Sequence, residues 1–188
     1  AAAACAPGTP VPLLGMTSGN VHDEPICIAD EEAREKLASI ADAFLGNNRP
    51  ILTRFDDSVV RLIQVDEVDE KPGYAIQFLR RARGYVPLAI ELPFAAKHTT
   101  LCLGGDLKAT FGYHAGRYVF LSQPFGDLEH PDCLATYQEN IERFAALHGF
   151  TTEKVVADLH PGYTARRFYT PDMHVQHHIA HAAAVLAE

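Results

Sequence analysis

Thr99-Thr100-Leu101-Cys102-Leu103-Gly104-Gly105-Asp106-Leu107-Lys108 decides how this chain is built. A β-branched and apolar run enters paired glycines, which predicts a strand, Thr99 to Leu103, delivering the backbone into a tight turn. Leu107 to His114 and Arg117 to Ser122 then predict a hairpin around Ala115-Gly116. Asp132 opens a helix with Leu134, Tyr137, Ile141 and Phe144 on one face, closed by His148-Gly149. Lys154 to Leu159 predicts a further strand, and His177 to Ala187 a last helix. Strands alternating with helices place the chain in the α/β or α+β class.

Upstream, Pro87 and Pro93 bracket a stretch, 88–98, that reads as a domain boundary. Before it, Ile51 to Arg54, Ser58 to Gln64 and Tyr74 to Leu79 carry strand composition, with Lys71-Pro72-Gly73 as a turn. Asp30 is placed to cap a helix whose apolar positions Leu37, Ala41, Phe44 and Leu45 end at Gly46-Asn47. Val11 to Met16 reads as a short buried strand running into Thr17-Ser18-Gly19-Asn20. Two incomplete modules, 1–95 and 96–188, fit this pattern better than one closed domain. A start at Ala1 without Met and a stop at Glu188 inside a helical pattern suggest a piece of something longer.

Composition narrows the class of activity. The 188 residues are 47% hydrophobic and 21% charged, a globular balance rather than a disordered one. A formal net charge of −8 opposes wholesale binding to phosphate backbones, although a local basic patch can still hold a nucleotide. No apolar run approaches the roughly 20 residues that span a bilayer. Cys5, Cys27, Cys102 and Cys133 are far apart and form no Cys-x-x-Cys pair, so they read as reduced thiols of a cytoplasmic protein.

Several groups of residues suit anionic or metal chemistry. His177 and His181 stand one helical turn apart, so one helix face offers two imidazoles to a divalent ion; surface histidines on a polar face are the alternative. Gly104, Gly105 and Lys108 suit a phosphate-cradling turn or simply a tight hairpin turn. Thr17, Ser18 and Asn20 follow a strand, a favoured ligand position in open sheets, or form a capped turn. Arg81 and Arg83, with Arg80, offer bidentate phosphate contacts, or a solvated charge run. Arg54 and Ser58 add polar groups between strands, and no Gly-x-Ser-x-Gly elbow is present.

Taken in order, these segments resemble one family, the hydrogenase-maturation carbamoyltransferases called HypF. The resemblance runs through Thr17-Ser18-Gly19-Asn20 with Glu24-Pro25, Arg54 to Arg61, and Arg80 to Pro87. It continues through Leu103 to Phe111, Ser122-Gln123 with Gly126-Asp127-Leu128, Asp158 to Tyr163, and Val175 to His181. The resemblance implies that residues 1–95 are the later part of a YrdC-like nucleotide-binding domain. It implies that 96–188 begin a carbamoyltransferase domain of the actin/Hsp70-like ATPase fold.

In such proteins carbamoyl phosphate is hydrolysed, the carbamate is adenylated with ATP, and the carbamoyl group passes to the C-terminal cysteine of the partner HypE. Thr17, Ser18, Asn20, Arg54, Ser58, Arg81 and Arg83 would line the adenylate pocket. Gly104, Gly105 and Lys108 would face nucleotide phosphates in the second domain. His177 and His181 would bind a divalent metal, iron or zinc, with magnesium accompanying ATP. The YrdC-like fold also admits double-stranded RNA as a partner, which the charge disfavours. Two rivals are a threonylcarbamoyl-adenylate synthase of tRNA modification, which lacks the second-half motifs, and a non-catalytic nucleotide- or metal-binding module.

Overall fold

A computed structural model describes residues 15–22, 24–68 and 71–187. The order is α1 (Asp30–Leu37), β1 (Val59–Val68), β2 (Lys71–Arg80), β3 (Ile90–Glu91), β4 (Thr100–Leu103), β5 (Phe111–Ala115) and β6 (Tyr118–Leu121). Then come α2 (Pro131–His148), β7 (Lys154–Asp158), a 3-10 turn (Thr164–Arg167), β8 (Met173–Val175) and α3 (His177–Ala187). β1 and β2 form an antiparallel ribbon, and the other strands form a six-stranded sheet in the order β3-β6-β5-β4-β7-β8. Within it β4, β7 and β8 run parallel, while β3, β6, β5 and β4 pair antiparallel. The α/β class read from the sequence stands.

The core lies where α2 covers one face of that sheet. Leu101 and Leu103 point to this face from β4, opposite Tyr113 and Phe111 of β5. Tyr137, Ile141 and Phe144 descend on them from α2. Phe111 collects edge-on contacts from Tyr137 and Phe144, with ring centroids 5.6 and 5.4 Å away, and stacks on Phe125. Burying each such side chain stabilises the fold by about 1.5–3 kcal/mol. The helix is well delimited: His130 Nδ1 accepts the Asp132 N–H, Pro131 sits in the first turn, and Gly149 at φ 69° closes the other end.

Several sequence expectations need correction. The first helix stops at Leu37 rather than Leu45, and Ala29, not Asp30, is its N-cap. Ile40, Phe44 and Leu45 are exposed, and a helix without a packed apolar face has little to hold it together. Ile51 to Arg54 forms no strand, because its carbonyls accept side chains instead: Leu52 O from Arg143 and Arg54 O from Gln123. Lys71-Pro72-Gly73 belongs to β2, and the two residues joining the ribbon's strands lie outside the described residues. The strand expected from Leu107 starts only at Phe111, after a turn in which Lys108 takes φ 51°. α2 begins at Pro131, one residue before Asp132. Most of the strand expected at Val11 to Met16 lies outside the described residues.

The short strands β3 and β8 go unforeseen, and β3 lies inside the stretch read as a boundary. The ribbon itself exposes Leu62 and Ile76, which face one another across the ladder, and Tyr74 beside them.

Candidate functional site

The carboxyl ends of three parallel strands set the site. Because β4, β7 and β8 run in the same direction, the residues that follow each of them emerge at one edge of the sheet. Those residues are Gly104-Gly105-Asp106 after β4, Asp158 to Tyr163 from the end of β7, and Gln176-His177 after β8. This edge is where open α/β sheets hold ligands.

Asp106 ties the first two segments together. Its buried carboxylate accepts the Thr164 N–H at 2.8 and 2.9 Å and the Thr164 hydroxyl at 2.9 Å. That anchor places the neighbouring Tyr163 ring against Gly105, where a Cβ would come within 3.3–3.4 Å of the ring. A side chain at 105 would therefore press on the ring and force it to shift by a few tenths of an ångström. Tyr163 also packs against His160 and lies 6.2 Å, centroid to centroid, from His177. Lys108 stands exposed at the tip of the same turn.

The histidine pair converges as the helical spacing predicts. His177 Nε2 and His181 Nε2 are 3.0 Å apart, with the rings edge to face. Two nitrogens each about 2.1 Å from one ion are about 3.0 Å apart at an octahedral angle and about 3.4 Å apart at the tetrahedral angle of zinc, so the pair lies within a small ring shift of two adjacent ligand positions. On its other side His177 Nδ1 meets Asp158 Oδ2 at 2.7 Å, and Asp158 Oδ1 accepts the His160 N–H at 2.8 Å. Burial alone would raise the Asp158 carboxyl's pKa, but these bonds and the adjacent imidazoles hold it below the ordinary value. Among the described residues no group of three or more His, Cys, Asp or Glu side chains gathers round one point.

In the first half the polar residues fall into two linked groups. Asn20 Nδ2 donates to the Val21 and Glu24 carbonyls, and Cys27 N–H bonds to Gly19 O, so the Thr17 to Asn20 loop is fastened beside α1. Thr17 and Ser18 are exposed. Arg54 donates to Ile26 O at 2.7 Å, to both Glu32 oxygens at 3.0 and 3.2 Å, and to Thr136 Oγ1 of α2 at 3.2 Å. Its guanidinium is thus engaged by protein acceptors and clasps α1 to α2. Four residues on, Ser58 Oγ donates to Arg83 O and accepts the Ala82 N–H. Arg81 lies 3.8 Å over the Phe78 ring, and exposed Arg83 stands 3.8 Å from Asp57. The segment 54–58 therefore connects the loop beside α1 to the arginine turn.

Sequence reasoning assigned no role to Asp106, Asp158, Tyr163 or Glu32. Asp106, Asp158 and Tyr163 lie within the motifs that carry the resemblance, but the partner of Asp158 is 19 residues away and those of Asp106 and Tyr163 are 58 away, which local pattern does not reveal. Cys27, Cys102 and Cys133 are free thiols, and burial pushes Cys102 up to about 11, which leaves it unreactive.

Residues 95–188, half of the chain, match the family model described as the HypF Kae1-like domain. The chain belongs to the HypF family. Residues 5–80 match the Sua5/YciO/YrdC model, described as telomere recombination. The carbamoyltransferase HypF of Synechocystis sp. is 39% identical over 176 residues, covering 92% of this chain and 22% of that protein. The HypF of Rhizobium leguminosarum is 36% identical over 179 residues, covering 93% and 22%. The crystal structure of full-length HypF in the phosphate- and nucleotide-bound form is 42% identical with a TM-score of 0.81, covering 92% of this chain and 26% of that one. The T. kodakarensis HypF structure is 36% identical with a TM-score of 0.76, covering 92% and 22%.

The chain thus spans about a fifth of the length of the HypF proteins it matches. Its α/β architecture is that of HypF, a YrdC-like part followed by a Kae1-like domain of the actin/Hsp70 ATPase type. Among the described residues, no helix is long and apolar enough to cross a membrane.

Proposed function

We propose that this chain is part of a cytoplasmic, ATP-dependent carbamoyltransferase of hydrogenase maturation. Residues 1–95 are the later part of its YrdC-like domain, which forms carbamoyl adenylate. Residues 96–188 begin the domain that delivers the carbamoyl group to the C-terminal cysteine of HypE. Water cleaves carbamoyl phosphate to carbamate and phosphate; a carbamate oxygen then bonds to the α-phosphorus of ATP and pyrophosphate leaves. The cysteine thiolate finally bonds to the carbamoyl carbon and AMP leaves.

The observation that carries this reading is the meeting of the Gly-Gly-Asp turn, Tyr163 and the paired imidazoles at one sheet edge. Phosphoryl and acyl transfer of this kind need positioned charge more than a protein nucleophile, and the residues present match that need. Thr17, Ser18, Asn20 and Ser58 hold and orient the adenylate by hydrogen bonds, and Arg81 and Arg83 neutralise its phosphates. Arg54 shapes the wall between them through its contacts with Glu32 and Thr136. Gly104, Gly105 and Lys108 receive phosphate in the second domain. His177 and His181 hold a divalent metal, iron or zinc, which supplies Lewis-acid polarisation when bound; magnesium accompanies ATP.

Calorimetry with ATP and magnesium tests the nucleotide half in this chain, and absence of binding at millimolar ATP overturns it. ATP–pyrophosphate exchange tests the reaction in the full-length protein. Exchange dependent on carbamoyl phosphate supports the reading, and exchange driven by threonine and bicarbonate overturns it.

A further inference from the structure

We propose that Asp158 is a positioning residue for the histidine pair: it fixes His177 as the tautomer whose Nε2 carries the lone pair facing His181. The inference rests on the metal-binding reading of that pair and assigns to it a residue that touches neither ligand position. A carboxylate offers only acceptors, so the 2.7 Å contact makes His177 Nδ1 the donor. A neutral imidazole has one N–H, and once Nδ1 holds it, Nε2 is left bare. That bare nitrogen is the one 3.0 Å from His181 Nε2. Without metal, His181 therefore donates its own Nε2–H across the gap; to ligate through that nitrogen, it must carry its proton on Nδ1 instead.

Asp158 is itself held in place. Its side chain is 8% exposed, whereas that of His177 is 54% exposed. Its second oxygen is tied to the His160 N–H, and its backbone pairs with Val175 at the end of β8, immediately before α3. The fixed partner thus orients the exposed one, as expected of a carboxylate behind a metal-binding histidine. Its place beside the first turn of α3 also suits a negative charge.

The test uses the 188-residue chain labelled with ¹⁵N-histidine and free of metal, together with Asp158→Asn, His177→Ala and His181→Ala. Two-bond ¹H–¹⁵N spectra should show His177 protonated on Nδ1 in the wild type and divided between tautomers in Asp158→Asn. The amide fits the same space, but with its oxygen on the His160 N–H its NH2 faces His177 Nδ1 and is satisfied only when the imidazole proton moves to Nε2. Zn²⁺ alone, titrated against a chromophoric chelator, should bind 10–100-fold more weakly to Asp158→Asn. A purely structural clasp would leave the tautomer unchanged.

Wild-type His177 protonated on Nε2 overturns the proposal whether or not the variant folds. Wild-type tautomer and affinity in a folded Asp158→Asn overturn it too. Unchanged Zn²⁺ affinity in His177→Ala and His181→Ala instead defeats the metal reading, leaving the tautomer result to be read separately.

Discussion

Replacing Asp106 with Ala removes the acceptor that joins the turn after β4 to the 3-10 segment after β7. Two donors lose their partner, the Thr164 N–H and the Thr164 hydroxyl. Hydrogen bonds to a charged group contribute about 1.5–3 kcal/mol each, which gives about 3–6 kcal/mol for the pair. Thr164 is only half-buried, so water replaces part of what is lost, and about 2–3 kcal/mol remains. For a chain of this size that loss lowers the melting temperature by about 4–12 °C. Urea denaturation followed by circular dichroism measures it, with Thr164→Val as the companion variant. If the geometry is right, the double variant is less destabilised than the sum of the singles by about 0.5–3 kcal/mol. A loss under about 0.5 kcal/mol for Asp106→Ala, or strict additivity, refutes the claim that this carboxylate holds the two loops together.

Glu32 carries a folded-state carboxyl pKa below its ordinary value. Burial pushes it up, but the Ile28 N–H and Arg54 more than reverse this. A depressed carboxyl contributes stability that is full above the unfolded value of about 4.3 and is lost as pH falls through the folded one, so Glu32→Gln should flatten the acid limb of a stability–pH curve. Phe144→Ala should cost about 3–5 kcal/mol in urea denaturation, since the ring packs against Phe111 and Tyr113 at the centre of the core. Arg83→Ala should weaken ATP binding by about 1.5–3 kcal/mol at low salt, measured by calorimetry, because exposed Arg83 has only a 3.8 Å contact with Asp57 to give up.

How much could be read from the sequence depends on how far apart the partners lie. α2 was legible because Tyr137, Ile141 and Phe144 repeat at helical spacing and Gly149 stops them; its partner sheet merely accepted that stripe. The imidazole pair was legible because one helical turn fixes both ends of the contact. α1 was overread, since Phe44 and Leu45 keep the helical period but find nothing to pack against. β8 was invisible because three residues carry no period, and its existence depends on pairing with β7. Asp106 and Asp158 were missed for the same reason, as a carboxylate's role is defined by donors that only the fold brings near. Arg54 was legible only as a polar group between strands, because its clasp on Glu32 and Thr136 joins residues up to 82 positions apart.

The register of the parallel strands explains why motifs about 70 residues apart lie together. Leu103 lies opposite Ala157, and Asp158 opposite Val175. One residue further along β4 is Gly104, so the glycine turn, Asp158 and the approach to α3 leave the sheet in a single row. Side chains alternate between faces, so the row also fixes which way each one points. A slip of one residue between β7 and its neighbours would turn Asp158 to the opposite face and bring Ala157 toward the histidines. Ala157 is 2% exposed and packed in the core beneath α2, whereas Asp158 needs the His160 and His177 donors. The slipped register would bury an unpaired carboxylate in the core and leave His177 without its acceptor, a double cost that the apolar pattern of β4 and β7 already forbids. The same alternation that packs Leu101 and Leu103 under α2 therefore selects the one register in which the carboxylate meets the imidazole.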